Sequence, residues 1–424
     1  MAVVIANMVG TGVFTSLGFQ LLDIQSPFVL IMLWIVGGFT ALCGALTYAE
    51  LGAALPRSGG EYNFLTEIYH PAAGFVSGWV SATIGFAAPT ALAAITFGSY
   101  LTSVWPNLSP AILASLLVIS LTLVHASTRR NSGKVQRVFT TIKLALILGF
   151  CFLAWFLVEE PQPVSFLPAS GDGEILFSGV FAISLIFVNY AYSGWNAATY
   201  LTSELERPRE TLSGVLIAGT LIVLVLYVLL NFTFLYTAPI DAMTGRLEIG
   251  YVSAQYVFGA TGASIMGVAL AALLVSTVSA MVLAGPRVLH VIGQDFPAFA
   301  WLARTNKNAV PHFAIYLQST IALVFIWSAS FESILVFAGF TLGLNTFFTV
   351  LGLFILRFRR PELPRPYKVA FYPLPPLIFL GITGWTLIYI LLERPNEGWM
   401  GLGVVISGGA FYALTVWLGK NRDV

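Results

Sequence analysis

Long apolar runs, interrupted by short charged or Pro/Gly-rich stretches, recur along the whole chain. A helix needs about 20 apolar residues to cross the hydrocarbon core of a bilayer. Read between the breaks, the pattern predicts twelve spans, near 1–22, 28–54, 72–104, 111–127, 138–158, 176–203, 211–238, 261–289, 313–329, 333–356, 371–392 and 398–418. The third and fourth are divided only by the uncharged turn Trp105-Pro106-Asn107-Leu108-Ser109-Pro110. Met1 already falls inside the first span, so the chain reads either as naturally this short at its start or as a truncated form.

Composition turns this pattern into a class. Of 424 residues, 58% are hydrophobic and 9% are charged, whereas a soluble domain averages ~25% charged residues. So few charges cannot keep a soluble chain of this size in solution, and an all-α, polytopic integral membrane protein is expected. Twenty Lys+Arg stand against 19 Asp+Glu, which leaves no excess charge to attract nucleic acid or an acidic partner. Cys43 and Cys151 each sit in an apolar run and fit neither a disulfide framework nor a metal cluster. His70, His125, His290 and His312 lie far apart, without ligand spacing. No Walker loop, GxSxG or HExxH motif is present. Neither an enzyme nor a metal or cofactor is therefore expected. No basic region or small-residue cleavage site marks a secretory signal.

The Lys/Arg bias orients the spans. With an even number of spans, one face collects Arg57; Arg129, Arg130, Lys134, Arg137; Arg207, Arg209; Arg287, Arg304, Lys307; Arg357, Arg359, Arg360, Arg365, Lys368; and Lys420, Arg422. That is 17 of the 20 basic residues; Arg246 and Arg394 fall opposite, and Lys143 lies within a span. The opposite face gathers Asp23, Glu159, Glu160, Asp172, Glu174, Asp241, Glu248, Glu332, Glu393 and Glu397. Both termini are thus expected in the cytoplasm. All four histidines fall at cytoplasmic ends in this arrangement, where an interfacial structural role is the simpler reading. Glu50 and Glu61 are expected there too, pairing on the surface with Arg57 and other basic residues.

Two spans carry interruptions. The first holds Val9-Gly10-Thr11-Gly12-Val13 at its centre, and the sixth holds Tyr190-Ala191-Tyr192-Ser193-Gly194-Trp195-Asn196. Small residues also let membrane helices pack closely, so either segment alone reads equally well as packing. Spans one and six open successive groups of five, and interruptions at matching places point to paired discontinuous helices in an inverted repeat. Unwinding exposes backbone N–H groups at the start of one half-helix and carbonyls at the end of the other. The first attracts a carboxylate and the second an ammonium, so one broken helix can hold a zwitterion without a charged side chain.

At these residues the chain resembles a family. Gly10-Thr11-Gly12-Val13-Phe14 is similar to the GSGIF motif in the first helix of the amino acid–polyamine–organocation (APC) superfamily. Tyr190 to Asn196 resembles the sixth-helix motif FAYxGWN of its L-type amino acid transporter branch, here in a prokaryotic form. Further similarity lies in Tyr48-Ala49-Glu50-Leu51-Gly52, Pro56-Arg57-Ser58-Gly59-Gly60-Glu61-Tyr62 and Pro361-Glu362-Leu363-Pro364-Arg365-Pro366-Tyr367-Lys368. The resemblance implies a LeuT-type fold of twelve transmembrane helices. Two inverted five-helix repeats, 1–158 and 176–356, would precede two extra helices at 371–418, with helices 1 and 6 discontinuous.

It also implies a binding scheme. Gly10, Thr11 and Gly12 would form the carboxylate end, through the N–H groups of Thr11 and Gly12. Carbonyls of Met8, Tyr190 and Ser193 would take the α-amino group, with Gly194 in the same unwound stretch and Asn196 near the pocket. Tyr190 would close over the substrate as an outer gate, with Trp195 beside it. Tyr190 replaces the usual Phe and brings a hydroxyl that needs a partner, and Ser193 stands where Gly is frequent. For Tyr190 and Trp195 the residues alone favour ordinary helix packing.

Lys143 is the one charge well inside a span. Burial there costs several kcal/mol unless the group is paired or wet, and position alone allows it to snorkel to the interface instead. The resemblance implies a fifth-helix Lys whose ammonium replaces a sodium ion between helices 1 and 8, touching helix-1 carbonyls and Ser276 or Ser279. Such a lysine is also a candidate proton carrier.

The function so implied is secondary active transport by alternating access, a sodium-independent exchange of neutral L-amino acids across the cell membrane. Proton-coupled uptake stays open beside exchange. A channel would want repeated pore-lining filter segments, and an intramembrane enzyme or receptor would want midplane catalytic groups; the spans hold neither. In animal L-type transporters a Cys between helices 3 and 4 joins a heavy chain. The corresponding turn here, Ser103 to Pro110, has none, so no disulfide-linked heavy chain is expected, and a monomer is the simplest state.

Overall fold

Every regular element in the described part of the chain is helical. The computed structural model describes residues 2–127, 132–165, 167–204 and 208–420. Arg129, Arg130, Arg207 and Arg422, which entered the charge asymmetry, lie outside the described residues. The helices are α1 Ala2–Met8, α2 Gly12–Gln20, α3 Pro27–Ala54, α4 Glu61–Ile68, α5 Pro71–Val80, α6 Ala87–Val104, α7 Pro110–Ser127, α8 Ser132–Leu157, α9 Asp172–Leu176 and α10 Gly179–Tyr192. They continue with α11 Pro208–Thr237, α12 Ile240–Met243, α13 Ile249–Asp295, α14 His312–Ser328, α15 Phe331–Arg359, α16 Leu374–Glu393 and α17 Pro395–Lys420.

Local chemistry sets several starts. Ser26, Ser178 and Ser330 each accept a hydrogen bond from the backbone N–H three residues on, which satisfies one orphan donor of the first turn. Pro27 and Pro71 follow their caps, in the first turn, where the missing N–H costs nothing. Inside the helices, Thr40, Thr47, Thr96 and Thr220 return their hydroxyls to the carbonyl four residues back. That leaves no bare donor where water is absent.

Among the described residues, nine helical stretches, counting Pro71–Val104 as one, are long and apolar enough to cross a membrane, and Gly179–Tyr192 and His312–Ser328 are shorter apolar helices. Large apolar side chains such as Phe152, Phe156, Ile265 and Ile406 stand on the outside. That surface suits lipid and would be a liability in water. The chain is a multi-pass membrane protein.

The turn at Trp105–Pro110 separates α6 from α7 as its sequence predicts. The sixth span breaks within its expected interruption: it stops at Tyr192 and resumes as a 3₁₀ segment, Trp195–Glu204. The eighth starts at 260, close to its expected start, because Gly259, with φ of 69°, divides α13 into 249–258 and 260–295. One expectation is corrected. The third span is not one regular helix, because a π-helical turn, Ser81–Gly85, joins α5 to α6.

Glu50 and Glu61 are also misjudged as surface residues. Glu50 is fully buried. It accepts from Arg357 Nε and Nη2 at 2.8 and 2.6 Å and from the Val369 N–H at 2.7 Å, with Arg365 Nε 3.4 Å away. Arg357 also lies 3.6 Å over the Tyr372 ring. The cluster ties α3 to α15 and to the loop before α16. The charges are neutralised by one another rather than by solvent. Glu61 belongs to the site described next.

Candidate substrate-binding site

The site starts where the first apolar segment stops being a helix. Val9 N–H still bonds Ile5 O at 2.8 Å, but Gly10 N–H turns back onto Met8 O, two residues away, at 2.7 Å. The chain re-enters helix at Gly12, behind Thr11. Thr11 and Gly12 therefore head α2, where the first donors of a helix have no intrahelical acceptor. The sixth segment breaks alongside. Ser193 is extended and Gly194 has φ +99°, a conformation that L side chains avoid.

These breaks touch. A Cβ built on Gly12 would stand 2.6 Å from both Cα and Cβ of Ala191, and one on Gly194 would meet the Asn7 carbonyl carbon at 3.0 Å. Only bare backbones let the two segments approach so closely. Between them lies a cavity of ≈ 140 Å³. Met8, Gly10, Thr11, Gly12, Tyr190, Ser193, Gly194, Trp195 and Asn196 all line it, joined by Phe86, Tyr200, Thr277, Met281 and Asn345.

Position differs from role for some of these. The Met8 carbonyl already accepts from Gly10 N–H and from the Tyr227 hydroxyl. A carbonyl has two lone pairs, so Met8 is removed from the expected ammonium acceptors. Tyr190 O accepts from Ser193 N–H at 2.9 Å and keeps one lone pair. The Tyr190 hydroxyl lies beside the Thr11 side chain. Trp195 packs edge-on to Tyr48, ring centroids 4.6 Å apart, and against Phe379. Its surroundings are those of a wall residue. Asn196 faces inward and donates to Glu61 Oε1.

Lys143 does not snorkel. Its side chain is buried, and Nζ donates to Val9 O at 3.1 Å and Thr277 Oγ1 at 2.7 Å. The ammonium thus bridges the helix-1 break and α13, as the resemblance implies, but through Thr277 rather than Ser276 or Ser279. The Ser279 hydroxyl is engaged instead by His125 Nε2 at 2.8 Å. On a helix, positions 276 and 279 point away from 277 by one and two residue steps of 100°, and one face alone meets Lys143.

Three residues escaped sequence reasoning. Thr277 sits in a run of small residues with nothing to single it out. Tyr227 joins both breaks, donating to Met8 O and lying 3.2 Å from Ala191 O. Glu61, 1% exposed, receives the hydroxyls of Tyr48 and Tyr200 and the amide of Asn196. Its place behind Gly59-Gly60, both with positive φ, was a usable signal of a tight turn before a helix start.

Comparison with known proteins bears directly on this geometry. The amino acid permease family matches residues 1–411. The chain belongs to the amino acid permease family. The permease is 26% identical over 430 residues to the large neutral amino acids transporter small subunit 2 of Homo sapiens, covering 98% of this chain and 79% of that protein. It is 27% identical over 431 residues to the b(0,+)-type amino acid transporter 1 of Mus musculus, covering 98% and 86%. Against the Asc-type amino acid transporter 1 of Mus musculus the figures are 27% over 451 residues, covering 100% and 81%. The permease is a transporter of amino acids, not an enzyme.

Proposed function

We propose that the permease exchanges neutral L-amino acids across the cell membrane by alternating access, without sodium. The observation that carries this reading is the Lys143 ammonium between Val9 O and Thr277. A fixed positive charge there does the bridging that a bound cation would otherwise do. The neutral class is supported by a cavity whose only carboxylate among the described residues, Glu61, is already engaged by three protein donors. Similarity to a transporter named for large neutral amino acids points the same way.

In this reading the N–H groups of Thr11 and Gly12 hold the α-carboxylate. The α-ammonium is held by the Ser193 carbonyl and the remaining lone pair of Tyr190 O. Tyr190 closes the outer side. The architecture is a LeuT-type arrangement of twelve crossings, in which 1–158 and 176–356 are inverted repeats and 371–418 supplies two extra helices. Both termini lie in the cytoplasm, and the subunit works without a disulfide-linked partner.

Proteoliposomes decide it. Uptake of a labelled amino-acid panel is measured with and without internal amino acid, in sodium and in choline, and with and without a pH gradient. Exchange predicts uptake that requires internal substrate and is equal in both media. Uptake into empty vesicles driven by an acidic exterior would establish proton symport instead, and conductance without saturation would establish a channel.

A further inference from the structure

A second cavity, ≈ 220 Å³, lies next to the first and is lined in part by Arg57, Tyr62 and Arg287. The two share Asn7, Phe86, Ala197 and Tyr200 in their walls. Whatever passes between them passes these side chains. Two are rings: Phe86 and Tyr200 meet edge to face, with centroids 6.4 Å apart.

Tyr200 is held from three directions. Its hydroxyl donates to Glu61 Oε2 and lies beside Ser81. Its ring lies against the backbone of Gly60, where a Cβ would come within 2.8 Å of Cε1. Glu61 in turn is fixed by Tyr48 at 3.0 Å and by Asn196. Among the described residues it has no ion-pair partner. Its charge is met by three neutral donors and by the start of α4, where it is the first residue and a helix favours a negative group. Hydrogen bonds to a carboxylate are about twice as strong as neutral ones, so the contact is a firm but breakable latch. It joins the α3–α4 connection to the Trp195–Glu204 segment, the far half of the broken sixth helix.

We propose that Tyr200 is the inner gate of the amino acid pathway, closing against Phe86, and that Glu61 is the positioning residue that holds it shut. This rests on the transport reading above. Opening means releasing Tyr200 from Glu61 and swinging its ring away from Phe86, which joins the substrate cavity to the Arg57–Arg287 vestibule.

The test uses the full-length permease in vesicles, with Cys43 and Cys151 replaced by Ala and a reporter Met281→Cys in the substrate cavity. A charged, membrane-impermeant methanethiosulfonate is applied to one side at a time; Arg57→Cys in the same background identifies the vestibule side. Tyr200→Ala should raise reporter labelling from that side by roughly tenfold or more, the shift that accompanies loss of one hydrogen bond to a charged group. Tyr200→Phe, which keeps the ring, should raise it less. Glu61→Gln should act in the same direction, and Glu61→Gln with Tyr200→Phe should label no faster than the more affected single variant. Labelling from the opposite side should not change. The proposal is overturned by an unchanged rate in both Tyr200 variants, by an equal rise from both sides, or by effects that multiply in the double variant. Labelling needs no transported amino acid, so a failed uptake assay and a failed gate are told apart.

Discussion

Replacing Lys143 by Ala removes two hydrogen bonds, to Val9 O and to Thr277 Oγ1. Each hydrogen bond to a charged group contributes ~1.5–3 kcal/mol, so the link between the helix-1 break and α13 is of order ~3–6 kcal/mol. Against it stands the cost of holding a cation away from water, itself several kcal/mol. The two nearly cancel in folding stability. They do not cancel in the transport cycle, because the link exists only while the break and α13 are in register. About 5.5 kcal/mol is enough to move a population from 1:99 to 99:1, so losing the link strands the protein in one state. A loss of ~3 kcal/mol at the rate-limiting step corresponds to ~100-fold in turnover. Exchange in proteoliposomes should fall by about that factor in Lys143→Ala, while the melting temperature moves by only a few degrees. Lys143→Arg should fail almost as badly, since a planar guanidinium does not replace a compact ammonium in a buried slot. Strong sodium stimulation of the wild type, or a fully active Lys143→Ala, would refute the reasoning.

Three further outcomes are expected. Gly10→Ala should bind substrate, because its Cβ meets nothing closer than 3.8 Å, whereas Gly12→Ala, at 2.6 Å from Ala191, should lose binding and ~1–3 kcal/mol of stability; titration of the purified variants with amino acid, alongside thermal melts, checks both. Tyr190→Phe should keep exchange and Tyr190→Ala should slow it severely; normal exchange by Tyr190→Ala would reduce the ring to packing. Glu50→Ala should cost ~3–5 kcal/mol by leaving Arg357 and Arg365 without their buried counter-charge, visible as a lowered melting temperature with unchanged substrate affinity in the protein that remains folded.

Local signals and distant ones fared differently in the sequence. The spans are legible because twenty apolar residues in a row have few alternatives, and the breaks because glycine recurs where a helix should continue. Gly12 and Gly194 stand at the contacts that require them. Glu61 was misread for an equally physical reason. A carboxylate near the end of a span reads as solvated, and the partners that bury it, Tyr48, Asn196 and Tyr200, lie 13, 135 and 139 residues away. Thr277 against Ser276 and Ser279 is a matter of helical phase. The sequence narrows α13 to a few hydroxyls, and rotation about the axis chooses among them. The π-turn at Ser81–Gly85 contains no residue that demands it, so only packing specifies it.

Tyr227 hangs between two carbonyls, Met8 O on the first broken helix and Ala191 O on the sixth. A phenol carries a single proton, so it cannot serve both acceptors fully at once. If the first helix swings away, the proton turns to the sixth; if the sixth withdraws, it turns back. Met8 O keeps its bond from Gly10 N–H when the phenol proton turns away. The energy of switching is therefore the difference between two similar hydrogen bonds rather than the loss of one. A hydroxyl so placed can tether one broken helix or the other while adding little friction to an exchange between them.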